Sequence, residues 1–299
     1  QQVTATLEHR RRQRQRRRLV GVKVVQRHQQ RRVQVRHRHD TLDLALGRAH
    51  EALGKFAGNP ADSAQLKFAR THLHQAHGAL SIVGLDGVTQ VSEAIELLLA
   101  GVEGGQVAAT PAVGELAQRA ITAIRHYLDE VASGVPNQPL KFLEVYRDLQ
   151  TARGTERVAS SDLFFPDLSL RPPRRTEETS PLSAAEAARR LKAERARFER
   201  GFLRWLRNAD DIAGIAEMRE AVAAIEATQA LPAARAFWWI TVALLDALAA
   251  REVPVDFHVK KLCARIDLQM RRLLEGSKTV AERLVRDALY FVAVAKGGG

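Results

Sequence analysis

The 299-residue sequence has little of several features that mark particular classes of protein. A single cysteine, Cys263, excludes a disulfide within the chain. It stands in a half-apolar helical run, which predicts a small buried thiol. Aromatic residues make up only 5% of the sequence, and no run alternates apolar and polar residues as a strand does. Ala, Leu and Arg are abundant, and this balance favours helices over sheets.

Long apolar runs are also scarce. The most apolar run, residues 236–250, is about 15 residues long and includes Asp246, whereas a membrane-spanning helix needs about 20 apolar residues. Residues 1–40 contain no apolar stretch of the length that a signal peptide needs. We therefore expect a buried core helix at 236–250, no membrane span and a cytoplasmic protein.

The formal net charge of +12 is unevenly distributed. Residues 1–40 hold 12 Arg and one Lys against two acidic residues, whereas the rest of the chain holds 33 basic and 32 acidic residues. The high isoelectric point therefore comes from the first 40 residues alone. The nearly equal numbers of basic and acidic residues after Asp40 argue against a specific nucleic-acid binder.

Residues 1–39 form a low-complexity segment rich in Arg, Gln and His. With no apolar period it could not bury enough surface to offset the entropy lost on ordering. It could be a nucleic-acid-binding arm, a membrane-surface arm, or sequence that is not part of the protein. We expect a disordered or artefactual tail.

From Asp40 onward the apolar residues recur with the period of amphipathic helices. Helices are predicted at 41–56, 62–83, 86–100 and 110–134, with Gly84 as a left-handed C-terminal residue and Pro111 in a first turn. Four helices with short connections predict an antiparallel four-helix bundle over 40–134.

The rest of the chain divides into a connector and a second helical region. Residues 135–182 read as a linker with one short helix at 139–152, because 154–181 is polar and rich in proline. A second helical bundle domain is predicted over 183–296, with helices at 183–208, 211–229, 232–251, 255–275 and 278–295. The predicted fold class is therefore all-α.

The segment most informative about function is His72 to Leu85. At 3.6 residues per turn, His74, His77, Gly78 and Ser81 share one face of a helix, opposite apolar residues directed to the core. A glycine inside a helix costs about 1 kcal/mol relative to alanine. Its use here would be to leave room for a partner's phosphoryl group beside an exposed imidazole.

This segment resembles the phosphorylation motif of histidine-phosphotransfer (HPt) domains, including the first domain of CheA-type kinases. His74, Gly78 and Gly84 match the motif in register, and His77 stands where the family usually has a lysine. The resemblance implies that His74 is the phosphoacceptor.

It also implies a carboxylate partner on the next helix. Glu96 stands at the position whose carboxylate accepts a hydrogen bond from the acceptor imidazole, and Glu93 lies one turn before it. Such a carboxylate fixes the tautomer of the ring and makes its other nitrogen more nucleophilic.

A wider resemblance covers about residues 40–295. Four segments carry it, at residues 162–169, 237–239, 260–267 and 282–293. They are similar to the N-terminal part of the CheA-like (PilL/ChpA-type) kinases of type IV pili and twitching motility. The second region is also similar to FimL-type scaffold proteins. The family implies a phosphorelay in which a histidine kinase core phosphorylates His74 and a response-regulator receiver removes the phosphoryl group.

Other interpretations remain open. The chain lacks the signatures of a kinase ATP site, so we expect a phosphoacceptor and not a kinase. His72, His74 and His77 could suggest zinc, but no cysteine or carboxylate completes a set at ligand spacing, so no metal and no cofactor are expected. The main alternative is a non-catalytic helical scaffold with a degenerate HPt domain.

Overall fold

The computed structural model describes residues 32–155, 157–174 and 183–295. These residues are mostly helical and include no strand, so the all-α prediction is confirmed. The chain divides into two compact units, Gln1–Leu163 and Phe164–Gly299.

The described residues of the first unit form four long helices and one short one. They are α1 (32–58), α2 (Ser63–Val83), α3 (Asp86–Glu103), α4 (Pro111–Ser133) and α5 (Leu143–Ala152). Short 3-10 turns at Pro139–Phe142 and Ser160–Leu163 flank α5. Each long helix contributes an apolar stripe to one core.

Helices α1 and α4 run antiparallel along their full length. The guanidinium groups of Arg32 and Arg36 both donate to the carbonyl of Ala132, at 3.2 and 2.9 Å. Further along the same interface, Arg125 Nε donates to Asp43 at 2.7 Å. The two arginines satisfy a carbonyl in the last turn of α4, where a helix has no internal donors left.

The start of α1 corrects one prediction. Residues 32–39, assigned from sequence to the tail, are helical, and Val35 is wholly buried in the core of the first unit. Because a single buried valine among arginines and glutamines gives no apolar period, the hydrophobic pattern of residues 32–39 did not predict a helix. The remainder of the predicted tail, residues 1–31, lies outside the described residues.

Part of the predicted linker belongs to the first unit. Helix α5 packs against α3 and α4, and Phe142, Tyr146, Leu149 and Leu163 are buried in the same core as the long helices. The sequence predicted the short helix at 139–152, but not that Phe142, Tyr146 and Leu149 belong to the core of the first unit.

The second unit contains α6 (Ala184–Arg207), α7 (Ile212–Thr228), α8 (Pro232–Ala249), α9 (Phe257–Leu274) and α10 (Glu282–Val294). The main contacts join α6 to α7, α7 to α8, α8 to α10, α10 to α9 and α9 to α6. The five helices therefore form a closed ring around their core, in the order α6–α7–α8–α10–α9. Helix α10 begins four residues later than predicted.

The segment 164–174 lies across α8 and α10. Phe164 contacts Tyr290 edge to face, the guanidinium of Arg286 lies over the ring of Phe165, and Arg235 donates to the carbonyl of Pro173 at 3.1 Å. The segment is thus held by two neighbouring helices of the ring.

Within the described residues, one helix, α8, is long and apolar enough to cross a membrane by length and composition alone. Half of it is buried inside the second unit, where Phe237 and Trp238 fill the core. Its Asp246 forms an ion pair with Arg219 of α7, at 2.6 Å.

Candidate functional site

Helix α2 presents one face to the core and one to solvent. Asp62 caps its first turn by accepting from the backbone amides of Ala64 and Gln65. Gly84 ends it with a φ of 72°, a left-handed conformation that residues with a Cβ rarely adopt. The buried stripe leaves His74 on the opposite face, with 77% of its side chain exposed. The buried residues of α2 are Leu66, Ala69, His72, Leu73, Ala76, Leu80 and Val83.

Glu96 of α3 holds the imidazole of His74 from one side. The Nδ1 atom of His74 lies 3.2 Å from Oε2 of Glu96. Because Nδ1 is engaged, Nε2 is the ring nitrogen left to face a reactant. The carboxylate therefore favours the tautomer that carries its proton on Nδ1 and keeps a lone pair on Nε2.

The same carboxylate also faces His77. Its Oε1 atom lies 3.7 Å from Nδ1 of His77, and both atoms are buried without a hydrogen-bond partner. The two imidazole rings stack nearly parallel, with an interplanar angle of 9° and centroids 6.4 Å apart. Glu96 thus faces the Nδ1 atoms of both imidazoles, and only 26% of the His77 side chain is exposed.

The space beside His74 is open at Gly78. A Cβ built on Gly78 would meet nothing within 4 Å, so this glycine is not needed for packing within the chain. Glu93 is exposed on α3, and no described contact joins its carboxylate to His74 or His77. The structure therefore brings Glu96 and His77 to His74 and leaves Glu93 apart.

Sequence reasoning missed a group of residues on the N-terminal side of His74. Lys67, Arg70, Thr71 and Gln75 line one open depression together with His74 and Glu96. Arg70 forms an ion pair with Glu103 at the end of α3. These residues precede His74 by seven, four and three positions or follow it by one, so helical spacing alone could have placed them beside the ring.

Metal-binding groups are not found in the part of the chain that the structure describes: no cluster of three or more His, Cys, Asp or Glu side chains occurs there. Cys263 in the second unit is fully buried, and burial raises the pKa of its thiol to about 12. Such a thiol is unreactive at neutral pH.

Comparisons with known proteins identify the class of each unit. Residues 29–134 match the family model of the Hpt domain, and residues 183–299 match that of the FimL scaffold protein second domain. The chain therefore combines an Hpt domain with a FimL-type second domain.

A curated relative is similar to this chain over a length that includes parts of both units. The scaffold protein FimL of Pseudomonas aeruginosa is 25% identical over 266 residues, which cover 87% of this chain and 46% of that protein. The chain spans about half the length of the relative it matches. No solved structure gives a significant match.

Proposed function

We propose that the first unit is a working histidine-phosphotransfer module with His74 as its phosphoacceptor. The observation that carries the proposal is the pairing of an exposed imidazole with a half-buried carboxylate, His74 Nδ1 to Glu96 Oε2 at 3.2 Å. A nucleophile oriented by a carboxylate and open to a partner is what phosphoryl transfer between proteins requires.

In the proposed reaction the lone pair of His74 Nε2 attacks the γ-phosphorus of ATP held by a separate histidine kinase core. The bond from this phosphorus to the bridging oxygen breaks, and its electron pair leaves with ADP. The ring becomes positively charged while its Nδ1 proton stays shared with Glu96, whose negative charge stabilises it.

The second half-reaction removes the phosphoryl group from His74. A carboxylate oxygen of a receiver aspartate attacks the phosphorus, the N–P bond breaks, and its electron pair returns to Nε2. Histidine kinase core and response-regulator receiver are thus the two partners we propose, in a cytoplasmic phosphorelay linked to type IV pili and twitching motility. Similarity to a FimL scaffold protein supports this setting.

A non-catalytic scaffold is the second candidate, with a specific observation in its favour. Among the described residues, the second unit shows core packing and ion pairs such as those of Asp287 with Arg265 and Arg283, and its histidine His258 has no acidic partner there. The relative that spans both units is itself named a scaffold protein. In this alternative the His74 site would be vestigial.

Phosphotransfer distinguishes the two. The full chain is incubated with ATP and the kinase core of a CheA-type partner, and labelled phosphoryl groups are followed. An acid-labile, base-stable label that His74→Gln abolishes is expected. Label that persists in His74→Gln would reject His74 as the acceptor, and no label on the wild-type chain would favour the scaffold.

A further inference from the structure

The phosphoryl group proposed for His74 would need positive charge near it. Phosphoryl groups on side chains carry about −1.5 to −2 charges at neutral pH and bind through charge-assisted hydrogen bonds from lysine and arginine. The residue in the position of the family's lysine, His77, points its Nδ1 atom inward to Glu96. Permanent positive charge near His74 comes instead from the lysine and arginine side chains that line the same depression.

Lys67 and Arg70 are the two cationic side chains of α2 beside His74. Both line the depression that the His74 ring also lines, Arg70 one turn and Lys67 two turns toward the start of α2. Lys67 is exposed and forms no ion pair with the described residues. Thr71 donates its hydroxyl hydrogen to the backbone carbonyl of Lys67, at 3.0 Å, so this hydroxyl is already engaged.

The acidic groups near the depression are already engaged. Glu96 accepts from His74 through Oε2, and Glu103 is paired with Arg70. A guanidinium has five N–H donors, so Arg70 can keep Glu103 and still donate to a second anion. Gln75 contributes an amide whose Oε1 faces His72 Nδ1 at 3.1 Å, which leaves its NH2 group available.

We propose that Lys67 and Arg70, assisted by the amide of Gln75, form a phosphoryl-binding subsite that holds the oxygens of phosphorylated His74. This inference rests on the proposed function and names the residues that neutralise the charge of the phosphoryl group on His74. The subsite supplies, from the N-terminal side of the ring, positive charge that does not depend on the protonation of His77.

The experiment phosphorylates the full chain with phosphoramidate, a small donor that needs no protein contact, and follows the phosphohistidine by 31P NMR across pH. Nearby cations favour the dianion over the monoanion, so they lower the midpoint of the phosphoryl titration. In Lys67→Gln and in Arg70→Gln the midpoint should rise by up to about 0.7 unit each, an equilibrium shift of up to about fivefold. High salt should shrink the difference.

Two matched variants make the result specific. Arg48→Gln removes the same charge from an exposed position on α1 outside the depression, and its midpoint should equal that of the wild type. Glu103→Gln releases Arg70 from its ion pair, and its midpoint should fall or stay unchanged. Thermal unfolding by circular dichroism checks that each variant is folded.

The outcomes separate the two proposals. If the titration midpoint of the phosphohistidine in Lys67→Gln and Arg70→Gln equals that in Arg48→Gln, the subsite is rejected. His74 then remains the acceptor. A wild-type chain that yields no resonance removable by His74→Gln, with phosphoramidate or with the kinase core, overturns both.

Discussion

Gly201 of α6 and Gly214 of α7 lie face to face, so that the backbones of the two helices touch. A Cβ on Gly201 would lie 2.5 Å from the carbonyl oxygen of Gly214, and a Cβ on Gly214 would lie 2.8 Å from that of Gly201. Neither obstacle is a flexible side chain, so a larger residue at either position would force the helices apart.

This contact predicts that Gly201→Ala and Gly214→Ala destabilise the second unit. Overpacking a tight contact costs about 1–3 kcal/mol, which exceeds the roughly 1 kcal/mol gained in helix propensity. The three tryptophans, Trp205, Trp238 and Trp239, all lie in the second unit, so urea unfolding followed by tryptophan fluorescence measures it selectively.

The comparison change is Gly47→Ala in α1, where an added Cβ meets nothing within 4 Å. It should stabilise the first unit by up to about 1 kcal/mol, read from its far-ultraviolet circular dichroism transition. Unchanged stability in both variants of the second unit would show that α6 and α7 can separate without loss.

The role of Glu96 predicts an asymmetry between two carboxylates on one helix. Glu96→Gln should slow phosphorylation of His74 by roughly 10- to 100-fold, because an amide orients the ring without supplying negative charge. Glu93→Gln should have little effect, since its carboxylate is exposed and away from both imidazoles. A phosphorylation time course measures the rates, and 15N NMR of the ring nitrogens measures the His74 tautomer. Equal effects of the two changes would contradict the pairing.

Gly78 predicts a difference between small and large phosphoryl donors. Because the space beside it is open, Gly78→Leu should leave phosphorylation by phosphoramidate within about twofold of wild type. It should slow transfer from a kinase core by at least about tenfold, since the new side chain fills the room that a docking protein needs. The smaller change Gly78→Ala serves as the control. Equal slowing with both donors would mean that the leucine disturbs the ring itself.

The first turns of α1 predict that a chain starting at residue 40 is less stable than one starting at residue 32. The shorter chain loses the burial of Val35, worth about 1.5–3 kcal/mol, and the two arginine bonds to Ala132. Thermal unfolding of the first unit should therefore begin several degrees lower. Identical melting of the two chains would show that residues 32–39 contribute nothing to the bundle.

The contact between His39 and Asp129 predicts that part of the stability of the first unit depends on pH. Its Nε2 lies 2.6 Å from a carboxylate oxygen of Asp129, and this hydrogen bond raises the pKa of His39 above its ordinary value. A raised folded-state pKa means that the stabilisation is fully present below the unfolded-state pKa, about 6.5. It is lost as the pH rises through the folded-state value.

The measurement compares wild type with His39→Gln by urea unfolding from pH 5.5 to 8.5. The difference in free energy of unfolding should be largest at pH 5.5, at up to about 1 kcal/mol for a partly exposed pair, and should shrink toward pH 8.5. Asp129→Asn should remove the same dependence. A difference that grows with pH would reverse the sign of the argument.

The sequence predicted best those elements whose signals are local. The cap at Asp62, the left-handed Gly84 and the apolar stripe between them placed α2, and helical spacing then put His74 on its exposed face. The pairing with Glu96 came from family resemblance, because no local pattern states which residue of the next helix lies opposite. Helical spacing could have placed Lys67 and Arg70 beside His74, but only the packing of α2 against α3 shows that they line one depression with Glu96.

The closed ring of the second unit has a consequence for how that unit forms during synthesis. Helix α10 contacts both α8 and α9, so the last helix made supplies the segment that joins them. Until it leaves the ribosome, the apolar faces of α8 and α9 that it will cover stay exposed, as in folding intermediates that aggregate. The first unit has no such dependence, because all its helices precede residue 164 and it can fold while the ring is still being translated.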